Sequence, residues 1–107
     1  MPAPILPGTV DVLILKTLSW GTMHGYAITQ WIEQKTGGEL GLADAALYQA
    51  LHRLERRRLI DAEWGVSDNN RRAKYYKLTA AGRKQLRAEL GEIRRYVAAL
   101  FKVLEPA

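Results

Sequence analysis

The chain has 107 residues, which suits one domain rather than two, and a domain of this size buries about two-thirds of its unfolded surface. Hydrophobic residues at 48% and charged residues at 25% argue against wholesale disorder, and the lack of cysteine excludes disulfides and thiolate metal sites. The net charge of +5 favours a polyanionic partner, while no apolar run reaches the roughly 18 residues of a membrane span and Met1 to Gly8 lacks the pattern of a secretory signal, so a cytoplasmic protein with no membrane partner is expected.

A first helix is expected from about Gly8 to Trp20. Val10, Leu13, Ile14 and Leu18 fall at helical spacing, and Val12 and Leu15 widen the stripe. Thr9 stands where an N-cap is needed, with Asp11 in the first turn. Gly21 breaks the pattern. A second helix follows from about His24 to Lys35, with Ile28, Trp31 and Ile32 inward, and Gly37-Gly38 end it. A turn through Leu40 and Leu42 leads to a third helix, about Asp44 to Arg57. Its core stripe is Leu47, Ala50, Leu51 and Leu54, and its outward face is Ala45, Gln49, His52, Arg53 and Arg56. Ile60 to Trp64 then alternates like a strand, Gly65 to Asn70 is dense in turn formers, and Arg71 to Leu78 makes a second strand with Tyr75 and Tyr76 on opposite faces.

Thr79 is placed to cap a last helix, about Ala80 to Leu104. Leu86, Leu90, Ile93, Val97, Leu100 and Leu104 are separated by 4, 3, 4, 3 and 4 positions, the spacing of a heptad seam. Such a helix is ~36 Å long, more than the rest of the chain can cover. A seam without a partner in its own chain implies one in another, so these six residues are the dimerisation candidates.

The order is helix, helix, helix, basic hairpin, long helix. It specifies a mainly α (α+β) fold: a winged helix-turn-helix over residues 1–79 and a C-terminal dimerisation helix over residues 80–107, forming one structural unit. Between Arg53 and Lys77 lie eight of the 16 Lys and Arg with four acids, so this stretch carries +4 of the net +5. In a helix-turn-helix the helix after the turn enters the major groove. Gln49 suits adenine there, and Arg53 suits guanine or phosphate. Arg56, Arg57 and Arg58 would continue as backbone clamps, and Arg71, Arg72 and Lys74 would form the tip of a wing. Each feature also has an ordinary explanation, as a solvated helix end, a charged surface turn or an intramolecular seam. Their order and spacing together favour DNA.

Three segments carry a family resemblance: His24-Gly25-Tyr26-Ala27-Ile28, Leu47 to Glu55 (LYQALHRLE), and Arg71 to Gly82 (RRAKYYKLTAAG). Together, across about Leu6 to Leu90, they resemble PadR-like transcriptional regulators, in the short-tailed branch with a single C-terminal helix. The resemblance implies a homodimeric winged helix-turn-helix, usually a repressor, bound to double-stranded operator DNA. Position by position it implies Tyr26, Tyr48, His52, Arg53, Arg71, Arg72 and Lys74 as DNA contacts, beside Ala45 and Gln49 from the outward face of the third helix. Three positions depart from the family pattern: Ala46 for the usual Ser or Thr, Ala43 for a capping Ser or Asn, and Gln49 for a frequent proline. Some members hold flat aromatic compounds between their C-terminal helices. Ile93, Tyr96 and Phe101 stand in that region here, which leaves room for an effector of unspecified chemistry. Trp20, Trp31 and Trp64 are expected to serve core or strand packing.

No cofactor or metal is expected. His24 and His52 are isolated, and there is no HExxH pattern, phosphate loop or nucleophile elbow, so catalysis is not expected. The alternatives are a winged-helix protein-interaction module without specific DNA binding, and an RNA-binding domain. Three cations at a loop tip disfavour the first. The scarcity of exposed sheet aromatics disfavours the second.

Overall fold

The computed structural model describes residues 3–6 and 8–105. Met1, Pro2 and Pro7 of the expected 1–79 division, and Pro106 and Ala107 of the 80–107 division, lie outside the described residues. Four helices appear in the expected order: α1 (Val10–Leu18), α2 (Gly25–Lys35), α3 (Asp44–Arg56) and α4 (Ala80–Leu104). The hairpin consists of β4 (Ile60–Val66) and β5 (Arg72–Leu78). Short strands β1 (Ala3–Pro4), β2 (Met23–His24) and β3 (Leu40–Gly41) were not expected. β1 pairs parallel with β3, and β2 adds to the hairpin to give the antiparallel order β2-β5-β4.

The helical stripes meet in one core. Ile14 and Leu15 of α1, Ile28 and Ile32 of α2, and Leu47, Ala50, Leu51 and Leu54 of α3 are buried together with Ile60, Tyr76 and Leu78 of the sheet. Thr17 is fully buried, but its hydroxyl donates to the Leu13 carbonyl at 2.7 Å, so no donor is stranded. Two of the three tryptophans depart from expectation. Trp31 is half-buried against the core, whereas Trp20 is 65% exposed and Trp64 58% exposed.

The helix ends show which caps form. Thr9 occupies the N-cap of α1 but does not cap with its side chain; its backbone is helical rather than extended, and its hydroxyl donates back to the Leu6 carbonyl at 2.7 Å. At α3 the N-cap is Ala43 and no side chain caps the helix, an omission worth ~1 kcal/mol. Asp44 lies inside the first turn, where it still complements the macrodipole. α3 ends in a tight reversal: the Arg58 amide donates to the Glu55 carbonyl at 2.9 Å and the Leu59 amide to the Leu54 carbonyl at 3.0 Å, with Arg58 at φ 59°. This is a Schellman ending with arginine where glycine is usual. Arg58 therefore turns off the helix axis and does not extend the row of Arg56 and Arg57.

The start of α4 is built on a knot of three bonds. The Thr79 hydroxyl accepts from the Gly82 amide at 3.0 Å and donates to the Arg58 carbonyl at 2.8 Å, while the Thr79 amide donates to the Leu59 carbonyl at 3.1 Å. Gly82 lies against that same Leu59 carbonyl, so closely that no Cβ fits. The glycine of the RRAKYYKLTAAG segment is thus required by the approach of α4 to the turn after α3. Beyond that junction Leu86 packs into the core at 8% exposure and Ile93 is half-buried against it, and α4 then runs out of its own chain's cover.

Candidate nucleic-acid interface

The hairpin register decides which wing residues face the helices. Val66 pairs with Arg72, Trp64 with Lys74 and Ala62 with Tyr76, and residues opposite each other share a face. Tyr76 is buried in the core, so Trp64, Arg72 and Lys74 share its inward side. On the other side the Tyr75 hydroxyl donates to the Val66 carbonyl at 3.1 Å.

Between this inner face of the wing and the N-terminal ends of α2 and α3 lies an open cleft of about 770 Å³. Tyr26, Tyr48, Arg71, Arg72 and Lys74 line it, so five of the nine DNA-contact candidates are brought to one place from three separate elements. Ala45, Gln49, His52 and Arg53 do not line the cleft. They lie exposed on α3 with Tyr48, one contiguous helical face at spacings of three and four. Cleft and face form a continuous surface, with Tyr48 at the join.

Several residues of this surface were not among the contact candidates read from the sequence. His24 lies in the cleft as the N-cap of α2, its Nδ1 accepting from the Ala27 amide at 3.2 Å. That role fixes the imidazole, which stacks on Tyr26 at 6.5 Å and meets Tyr75 edge-on at 5.5 Å. Gly25 is buried beneath Tyr48; a Cβ there would come within 2.8 Å of the tyrosine hydroxyl oxygen. The HGY and LY segments thus fit against each other. Trp64 projects into the cleft with the Arg72 guanidinium 4.4 Å over its ring, a stack that holds Arg72 at the wing. The proximity of Trp64 to Arg72 follows only from hairpin register, which seven intervening positions do not reveal.

The charges are not all free. Arg53 donates to Asp11 at 2.6 Å and Lys74 to Glu55 at 3.3 Å; these are the ion pairs among the described residues. Burial, with the Glu55 carboxylate and Tyr48 nearby, pushes the Tyr76 phenol above its ordinary value. Among the described residues no group of three or more His, Cys, Asp and Glu is placed to hold a metal ion, and no helix is long and apolar enough to cross a membrane.

The second candidate surface is α4. Leu86 belongs to its own chain's core, and Ile93 is half-buried against that core. Of the six residues of the expected seam, Leu86 is thus already covered within the chain. Val97 at 41% and Leu104 at 61% exposure, with Leu100 and Phe101 between them, stand open along the last turns.

Residues 14–88 match the family model described as Transcriptional regulator PadR-like family. A relative described as uncharacterized protein X from Lysinibacillus sphaericus is 32% identical over 105 residues, covering 94% of this chain and 95% of that one. Among solved structures, a transcriptional regulator from Clostridium thermocellum is similar with a TM-score of 0.82 at 30% identity, over 89% of this chain and 92% of that one. Bacillus subtilis PadR, crystallised in complex with operator DNA, shares the fold with a TM-score of 0.69 at 24% identity, over 78% of this chain and 47% of that one.

Proposed function

The chain belongs to the PadR-like family of transcriptional regulators, a family of regulators rather than enzymes, and from that premise we propose that it represses transcription in the cytoplasm as a homodimer bound to a specific duplex operator. The observation that carries this reading is the joining of the exposed face of α3 to the basic cleft under the wing. The similar Bacillus subtilis protein was crystallised with operator DNA, which supports the same partner here.

In this reading α3 enters the major groove. Gln49 pairs with adenine through its amide, and Arg53 reaches guanine or a phosphate. Tyr48, His52 and Tyr26 donate to phosphates from the join of the two surfaces, and Ala45 offers its methyl to the groove. Arg71, Arg72 and Lys74 bring the wing to the backbone or minor groove. Residues 1–79 do this work. Residues 80–107 pair two chains through Leu90, Ile93, Val97, Leu100 and Leu104, because the apolar turns that stand open at the end of α4 are best buried against a second copy.

The test is a fluorescence anisotropy titration with the intact protein, using a duplex and its separate single strands at two salt concentrations. Binding to the duplex well above either strand, weakening steeply with salt, is expected. Equal binding to duplex and strands would refute it. Sedimentation of Val97→Asp beside wild type tests the dimer: a wild-type dimer and a variant monomer are expected, and a variant that stays dimeric would refute the seam.

A further inference from the structure

The chain has 16 Lys and Arg and 11 Asp and Glu. Among the described residues only two ion pairs form, and both fall on cations assigned to DNA contact. Arg53, on the outward face of α3, is tied at 2.6 Å to Asp11 in the first turn of α1. Lys74, on the inner face of the wing, is tied at 3.3 Å to Glu55 near the C-terminal end of α3. Arg71 and Arg72 at the wing tip have no carboxylate partner among the described residues, and Arg72 rests on Trp64. The acids are not drawn to these cations by sequence neighbourhood: Asp11 and Arg53 are 42 positions apart, and Glu55 and Lys74 are 19 apart.

We propose that Asp11 and Glu55 act as built-in competitors for backbone phosphates, holding Arg53 and Lys74 so that they add little to sequence-independent attraction. A carboxylate oxygen offers a guanidinium or ammonium the same anionic acceptor as a phosphate oxygen. A cation already engaged must leave its carboxylate before it neutralises a phosphate, and the carboxylate left behind then repels the DNA. Binding to arbitrary duplex depends on phosphate neutralisation, whereas a specific site adds base contacts. Restraining two of the cations therefore lowers the background common to all sequences. The pairs are half-exposed, so they can be broken; they bias the interface without closing it. Asp11 and Glu55 are thus specificity-setting residues that touch no base.

This inference rests on the duplex-binding reading above, and one experiment separates the two. Wild type, Asp11→Asn, Glu55→Gln and Glu33→Gln are titrated against a random-sequence 30-base-pair duplex over a range of salt. Glu33→Gln is the charge control: it changes net charge by the same amount at an exposed position of α2 that is in no ion pair among the described residues. Asp11→Asn and Glu55→Gln are each expected to bind roughly 2- to 5-fold more tightly than wild type, the range set by a half-exposed ion pair that no longer has to break. The slope of log affinity against log salt should steepen by about 0.9 for each freed cation, and Glu33→Gln should change both quantities less. Unfolding cannot imitate tighter binding. Affinities and slopes equal to those of Glu33→Gln, or weaker than wild type, would overturn the inference while leaving duplex binding intact. A wild type that fails to bind the duplex at low salt would overturn the function proposed above.

Discussion

Gly82→Ala sets two physical effects against each other in a single residue. Gly82 is the third residue of α4, and alanine is the better helix former by about 1 kcal/mol, so propensity alone predicts a more stable protein. The packing predicts the opposite. A Cβ would overlap the Leu59 carbonyl oxygen and lie 2.8 Å from a Leu78 methyl, a clash with backbone that no rotamer change relieves. To make room, α4 must back away from the turn after α3. Overpacking of this kind costs about 1–3 kcal/mol. The retreat also strains the Thr79–Gly82 cap, worth ~1 kcal/mol, and the amide bond from Thr79 to Leu59, worth about as much. A net loss of about 2–3 kcal/mol is expected, which for a domain near this size lowers Tm by roughly 10–20 °C. Gly91→Ala is the internal control: on the same helix its Cβ would meet only the Arg95 guanidinium at 3.6 Å, an ordinary contact, so a gain of about 0.5–1 kcal/mol is expected. Urea and thermal unfolding at one fixed protein concentration read both, since dimerisation would make Tm concentration-dependent. A Gly82→Ala protein as stable as wild type would show that the Leu59 carbonyl does not exclude a Cβ at this position.

Other expectations follow from the same geometry. Arg58→Gly should stabilise the chain by about 0.5–1 kcal/mol, because φ of 59° costs arginine what it does not cost glycine; a lower urea midpoint would contradict this. Arg72→Ala should weaken binding on every duplex and reduce the salt slope by about 0.9, whereas Gln49→Ala should cost ~1–3 kcal/mol on the selected operator only; anisotropy on selected and scrambled duplexes separates the two. The raised Tyr76 phenol has an alkaline consequence. The fold favours its protonated form, so that stabilisation is complete below the ordinary phenol value near 10 and is lost as pH rises through the higher folded value. Tyr76→Phe should flatten the alkaline limb of a stability–pH curve, and an unchanged limb would dissociate it from Tyr76.

Helical periodicity made most of the frame legible. Leu47, Ala50, Leu51 and Leu54 repeat at helical spacing and are buried in α3, and the turn formers of Gly65 to Asn70 overlap the observed loop at 67–71, although Gly65 and Val66 belong to β4 and Arg71 to the loop. What escaped was non-local or too short to carry a period. β2 is two residues long and exists only because β5 offers an edge, so no pattern in Met23-His24 announces it. Heptad spacing cannot distinguish cover from the same chain and cover from another, and Leu86 was therefore grouped with Val97 although it packs at home. Thr9 has the right residue type at the right place for a cap, but its backbone conformation aims the hydroxyl elsewhere. Tryptophan type suggests burial, yet Trp64 stands open because the inner face of the wing extends past α3 into the cleft. The pairing of candidate contacts with acids was invisible for the same reason, since Asp11 meets Arg53 only once α1 crosses α3.

If α3 and the wing together read a specific duplex, twice, in a dimer, that duplex can be selected from random sequence. The experiment mixes the wild-type protein with a pool of random duplexes, recovers the bound fraction through several rounds and sequences it. Enrichment of an inverted repeat whose half-sites are centred about one helical turn apart is expected, with enrichment lost in Gln49→Ala. Recovery of duplexes with no shared sequence, at a salt concentration where binding persists, would contradict it.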